Sequence, residues 1–357
     1  MEAISLEQQV ALVRQAQDNP AWFCKTLLRA NLWEKQREII TSVKDNRYTS
    51  VVACHAPGKT FVAANLSLTF LYTHRPAKVI TTAPTARQVY SLLWSEIRTA
   101  HSRGSKKYPL GGQPLKTRLE LAPDWYAEGF SSSDYDPERV QGYHSQNILI
   151  VVDEASGVAD GVLDSLESLM SSGNAHMLFI GNPNRASGRF YESFSSPLFN
   201  TIRISAYDTP NFTEFGITRE DMLDGSWKGK IGDQGIPLPR PYLVTPEWVS
   251  ERLQVWGPDS QLVRTQVDAK FPTTDSTDNV IPVSYLDTGA QQSFPEDEKT
   301  APVHIGVDIA RFGSDESVIA VRAGRQSLFE RVLQQRDTMT LVGEVQKIVS
   351  EIGPLRV

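Results

Sequence analysis

A short β-branched run that ends in a Gly-Lys-Thr loop constrains this chain more than any other feature. Residues 49–54 (TSVVAC) read as a buried strand, and residues 60–72 read as the helix that follows. Between them, Ala53-Cys54-His55-Ala56-Pro57-Gly58-Lys59-Thr60 has the spacing of a Walker A phosphate loop, with Ala at the first glycine position. In that context backbone N–H groups and a helix N-terminus surround phosphates. Lys59 would then reach the β- and γ-phosphates of ATP, and the Thr60 hydroxyl would join the shell of a Mg2+ ion. Ala53 places a Cβ where a tight turn is expected. The alternative is a chance Gly-Lys-Thr at a helix start, against which the preceding strand weighs.

Three further apolar runs, residues 78–82 (KVITT), 148–152 (ILIVV) and 177–180 (MLFI), read as buried parallel strands. Helical stretches over residues 85–100 and 160–172 are long enough for crossover connections, and residues 117–130 alternate like a hairpin. The fold class expected is α/β: a P-loop ATPase with a mostly parallel central sheet over residues 1–207. Residues 208–278 are rich in Gly and Pro and read as an irregular subdomain and linker, with a helix over residues 247–256. From Val303 a new pattern of three strands and a helix over residues 339–352 begins, so residues 279–357 form a further domain.

Residues 148–154 (ILIVVDE) form an apolar strand that ends in two acids, as in a Walker B motif. Such a strand deposits its last side chains at the carboxyl edge of the sheet, where ligands bind in open α/β folds. Asp153 would hold Mg2+ and Glu154 would orient and polarise the attacking water. Taken alone, Asp-Glu after a strand is also a common helix N-cap. Gln36, one helix before the loop, can pair with an adenine edge or lie on a helix surface. Residues 79–88 (VITTAPTARQ) suit a strand end turning into a helix. Asn182, after the strand over residues 177–180, can sense the γ-phosphate or simply begin an Asn-Pro turn.

Composition narrows the class. The 357 residues carry 36 Lys+Arg against 42 Asp+Glu, a net charge of −6, which argues against a wholly basic nucleic-acid coat but leaves local patches open. Residues 101–107 (HSRGSKK) read as a basic loop, with Arg185, Arg189, Lys228 and Lys230 adding charge elsewhere; phosphate contact and simple solvation are equally open for all of them. No apolar run reaches the ~18 residues of a membrane span, and the start lacks a signal-peptide layout, so a protein that is not secreted is expected. Two cysteines, Cys24 and Cys54, make no disulfide framework and fit a reducing compartment.

As an ordered set these segments resemble the large subunit of tailed-phage terminases. The resemblance rests on Gln36, residues 53–60, 82–88, 139–144 (RVQGYH), 148–157, 181–191 (GNPNRASGRFY), 205–212 (SAYDTPNF), 243–248 (LVTPEW) and 304–315 (HIGVDIARFGSD). It implies a DNA-packaging motor that uses ATP and Mg2+ to translocate double-stranded DNA. It further implies a homo-oligomeric ring, commonly a pentamer, on the portal protein of a capsid, a small terminase subunit as partner, and action in the host cytoplasm. Arg139 is the candidate for an arginine finger acting on a neighbour's ATP.

The family also carries an RNase H-like nuclease that holds two divalent metals. Asp308 matches its first metal ligand, and Asp315 lies in the following turn. The family's two later acids have no counterpart before Val357, so an incomplete nuclease domain without cutting activity is expected. Two other readings stay open: a superfamily-2 helicase, for which residues 208–357 offer no second arginine-rich motor domain, and a defective prophage remnant that binds ATP or partners without working.

Overall fold

The computed structural model describes residues 6–106, 108–134, 143–171, 173–231, 237–273, 289, 301–310, 316–334 and 338–352. The chain divides into two compact units, residues 1–278 and 279–357.

The first unit is built on a seven-stranded sheet. Its strands are β1 (Tyr48–Ala53), β2 (Lys78–Ala83), β3 (Arg118–Ala122), β4 (Trp125–Ser131), β5 (Asn147–Asp153), β6 (Asn174–Gly181) and β7 (Asn200–Ile204), in spatial order β3-β4-β2-β5-β6-β1-β7. Every pairing is parallel except the β3–β4 hairpin at one edge. The mostly parallel α/β sheet expected from the apolar runs is therefore present, hairpin included.

Why these runs are continuous rather than alternating follows from burial on both faces. Val51, Ala53, Val79, Leu149, Val151, Leu178 and Ile180 face one core together with Ile39, Leu68 and Trp94. Their neighbours Val52, Ile80, Ile148, Ile150, Val152, Met177 and Phe179 face a second core with Leu163, Leu166 and Phe190. The first face is covered by α1 (Leu6–Asp18), α2 (Pro20–Thr26), α3 (Glu34–Asp45), α4 (Lys59–Thr73) and α5 (Trp94–Ser105). On the second lies α6 (Asp160–Ser168).

The helix expected over residues 85–100 differs in detail. A wide π-helical turn, Gln88–Leu93, precedes α5. Trp94 there is fully buried, with its indole N–H donating to Thr81 Oγ1 at 2.9 Å. The basic loop expected at residues 101–107 is also corrected, because α5 continues through Ser105. His101 is buried in that helix, and Arg103 donates to Leu28 O at 2.7 Å and Asn65 Oδ1 at 3.0 Å instead of facing solvent. Lys107 lies outside the described residues.

After β7 the chain forms short helices α7 (Pro210–Thr213), α8 (Arg219–Asp224) and α9 (Trp227–Ile231), then α10 (Pro246–Trp256) and α11 (Gln261–Gln266). These elements share one apolar core, with Phe212, Trp227, Val249 and Val263, and that core includes Cys54 of the phosphate loop.

The second unit is a three-stranded antiparallel sheet, β8 (Val303–Asp308), β9 (Glu316–Ala323) and β10 (Gln326–Gln334), in order β10-β9-β8. A helix, α12 (Thr338–Ile352), packs Leu341 and Ile348 on Ile319 and Val321. Arg331 clamps that helix through Glu344 at 2.9 Å and Glu351 at 3.3 Å.

Candidate active site

The sheet order brings three strand ends together. β6 lies between β5 and β1, so the chain leaving β6 emerges between the acids that end β5 and the loop that follows β1. Carboxyl ends of parallel strands are where such folds bind ligands.

The phosphate loop runs from β1 into α4, with Ala56 at φ 51° and Gly58 at φ 85°. The left-handed turn thus sits at Ala56 and Gly58, whereas Ala53 is a buried strand residue opposite Ile204. A Cβ at position 53 fits there, which corrects the expectation that Ala53 occupies a tight turn. Gly58 needs its freedom, and a Cβ on it would also come within 2.6 Å of Gln36 Nε2.

Lys59, Asp153, Glu154 and Asn182 converge at this edge. The Lys59 ammonium donates to Asn182 Oδ1 at 2.8 Å and pairs with Glu154 Oε1 at 3.5 Å. Asn182 Nδ2 donates to Ala53 O at 2.8 Å, so one amide spans from β6 to the end of β1. The Thr60 hydroxyl donates to Asp153 Oδ2 at 3.1 Å. Burial, reinforced by the neighbouring Glu154 and opposed by Lys59, pushes the Asp153 carboxyl up to about 6. Glu154 is half-buried at φ 51°, and its N–H donates to Asp153 Oδ1 at 3.1 Å. That backbone is uncommon for a residue with a Cβ and marks a constrained turn.

Gln36 is only 3% exposed, and both ends of its amide are engaged: Oε1 accepts from Trp33 N at 3.3 Å and Nε2 donates to Gly58 O at 3.1 Å. Trp33 adds an indole N–H bond to Pro57 O at 3.3 Å. These two residues brace the loop from the N-cap and first turn of α3.

The irregular elements after β7 grip the same loop from the other side. His55 N donates to Gln266 O at 2.7 Å, Val244 N donates to Ala56 O at 3.1 Å, and the His55 ring stacks on Trp248 at 5.2 Å. Gln266 Nε2 reaches Asn184 Oδ1 at 3.1 Å, two residues beyond Asn182. Gln266 carries no sequence signal that sets it apart from a surface polar residue, while Asn184 and Trp248 lie inside the resemblance segments 181–191 and 243–248, where nothing local marks their contact with the loop.

Other candidates separate from this centre. Arg189 bridges Asp164 at 3.0 Å and also pairs with Glu167, and Lys230 pairs with Asp221 at 2.6 Å, so both are spent on local ion pairs. Arg185 is exposed. Arg139 and Asp315 lie outside the described residues, while Asp308 ends β8 in the second unit with an exposed side chain. Among the described residues no three His, Cys, Asp or Glu side chains form a cluster able to hold a metal. Also among them, no helix is long and apolar enough to cross a membrane.

A Mg2+ ion bound with nucleotide needs few protein ligands, because phosphate oxygens and waters fill the remaining positions. Thr60 and Asp153 meet that requirement: both are oxygen donors, adjacent, and Asp153 is a buried carboxylate with only a hydroxyl and an N–H as hydrogen-bond partners.

No family model matches the chain. Over 167 residues it is 25% identical to the probable terminase large subunit of Enterobacteria phage P7. The match covers 45% of this chain and 34% of that protein, so the chain spans about a third of the length of the curated relative it matches. Among solved structures, the HK97 bacteriophage large terminase superposes with a TM-score of 0.52 at 12% identity, covering 94% of this chain and 71% of that one. The ATPase domain of the Thermus phage P74-26 large terminase gives a TM-score of 0.48 at 17% identity, covering 69% and 96%. The chain is thus similar in sequence, over that matched stretch, to a phage terminase large subunit, and it shares its fold with the HK97 large terminase.

Proposed function

We propose that this chain is the ATP-hydrolysing motor subunit that drives double-stranded DNA into a phage capsid. The observation that carries the reading is the meeting of Lys59, Thr60, Asp153, Glu154 and Asn182 at three adjacent strand ends.

In this reading the N–H groups of the loop and of the first turn of α4 bind the phosphates of ATP. Lys59 turns from Asn182 and Glu154 to the β- and γ-phosphates. Thr60 and Asp153 hold Mg2+, which supplies neutralising charge to the phosphate oxygens when bound. Glu154, freed from Lys59, orients the attacking water and takes up its proton as the water oxygen bonds to the γ-phosphorus and the bridging P–O bond breaks. Asn182 links the occupied site to β6, and loss of the γ-phosphate releases Lys59 back to it. Cys54, His55, Ala56 and Pro57 shape the loop, and Gln36 steadies Gly58 from behind.

The motor works as a homo-oligomeric ring, of which a pentamer is the expected form, with the portal protein and a small terminase subunit as partners in the host cytoplasm. Arg139 of a neighbouring subunit is proposed to stabilise the transition-state charge. The second unit is proposed as part of an RNase H-like domain in which Asp308 would be one metal ligand, and no cutting step is assigned to it.

Phosphate release by the wild type and by Glu154→Ala, each with and without linear double-stranded DNA, tests the reading. DNA-stimulated turnover that disappears in Glu154→Ala supports it. Equal, negligible turnover in both proteins would sink it.

A further inference from the structure

Beside the phosphate loop, among the described residues, one aromatic side chain is left without an aromatic partner and in solvent. Trp33 is buried under Pro57, and His55 and Trp248 stack on each other. Tyr242, in contrast, is 69% exposed. It sits at the tip of a turn closed by Leu243 N donating to Arg240 O at 2.9 Å, with Pro241 at the position that favours proline in such turns.

This turn is held firmly. Asn211 is fully buried and clamps both ends: its Nδ2 donates to Arg240 O at 2.8 Å and Val244 O at 3.0 Å, while its Oδ1 accepts from Arg240 N at 3.0 Å. Val244 N then pins the segment to Ala56 O. The preceding residue, Leu243, would lie 3.4 Å from a Cβ on Gly58, the glycine whose carbonyl Gln36 Nε2 holds. Arg240 Nη1 donates to Tyr242 Oη at 2.9 Å, which fixes the ring from its hydroxyl end.

An exposed apolar ring on a rigid turn, tied to a phosphate loop, is a preorganised stacking surface. We infer that Tyr242, steadied by Arg240, is the platform on which the base of the bound nucleotide stacks, so that base affinity comes from this turn while Gln36 is occupied inside the fold. The inference rests on the phosphate-loop reading above and names the residue that gives that site its affinity for a base.

The test is equilibrium binding of Mg-ATP and of Mg-tripolyphosphate, which lacks base and sugar, to the wild type, Tyr242→Ala and Tyr242→Phe. The wild type is expected to prefer ATP. Tyr242→Ala should weaken ATP by about tenfold, within the range contributed by stacking one base, and leave tripolyphosphate unchanged. Tyr242→Phe should keep the wild-type preference, because it keeps the ring. Undiminished ATP binding in Tyr242→Ala would overturn the inference while leaving the phosphate site intact, as would a wild type that binds both ligands equally. A wild type that binds neither would overturn the phosphate-loop reading and the inference together.

Discussion

The ammonium of Lys59 donates to Asn182 Oδ1 at 2.8 Å, and the same Asn182 amide donates to Ala53 O at 2.8 Å. One side chain therefore joins the Lys59 ammonium to the ends of two strands that adjoin in the sheet. Removing it leaves a buried carbonyl without this donor and a buried lysine with Glu154 as its remaining partner. Asn182→Ala is expected to lose about 1–3 kcal/mol of stability, the ordinary cost of unsatisfied buried polar groups. Urea unfolding checks the loss, and phosphate release should fall in the same variant.

Asp153 makes stability depend on pH. In the folded protein burial keeps its proton until pH is about 6, against an ordinary value of 3.8. The folded state therefore holds more protons than the unfolded chain between about pH 4 and 6, and stability falls as pH rises through that window. Asp153→Asn has no charge to bury. It should unfold at a higher temperature than the wild type above pH 6, by on the order of 1–3 kcal/mol, and the difference should vanish near pH 4. Melting curves of both proteins across pH 4–8 without metal or nucleotide measure this. An unchanged difference across that range would contradict it.

The parts of the site that were legible in the sequence are those whose signal is local. A β-branched run, a Gly-Lys-Thr loop and a helix lie within residues 49–72, and the two acids directly end the next apolar run, so short-range pattern places them at strand ends. The strand order that sets Asn182 between Lys59 and β1 is a tertiary fact with no local signature. The basic segment over residues 101–107 misleads for a related reason: Gly104 lies inside α5, where a Cβ would come 3.0 Å from Leu27 O. The close approach of another segment, rather than chain flexibility, requires glycine there. The grip of Asn211 on residues 240–244 joins positions about thirty apart, beyond any periodicity.

Glu154 combines a half-buried carboxylate with a left-handed backbone, φ 51° and ψ 46°. Glycine tolerates that conformation without strain. Glu154→Gly is therefore expected to keep or gain stability, by up to about 1 kcal/mol, while losing turnover completely. Gly181→Ala probes the same turn from outside, since its Cβ would lie 3.0 Å from Ala155 N and 3.3 Å from Glu154 C. A fall in kcat of about tenfold with little change in KM is expected there, because a small displacement of Glu154, the proposed water-orienting group, is costly to turnover. A rise in KM alone would contradict this role.

Cys24 and Cys54 are fully buried, and burial pushes both thiols up to about 12. Neither should react with a maleimide at pH 8 in the folded protein, although Cys54 belongs to the phosphate loop. Mass spectrometry should find no adduct until denaturant is added, after which both sites label. Rapid labelling of Cys54 in the native protein would mean that the packing of His55, Val244 and Gln266 around the loop opens readily.

In the proposed function Glu154 does chemistry at a nucleotide site whose binding groups do not depend on it. Its most direct test is phosphate release and Mg-ATP binding measured side by side for the wild type, Glu154→Gln and Lys59→Ala. Glu154→Gln is expected to bind ATP about as tightly as the wild type but to release phosphate at least ~100-fold more slowly, in the range typical of lost general-base catalysis. Lys59→Ala should lose binding as well. Wild-type turnover in Glu154→Gln would rule out this role for Glu154.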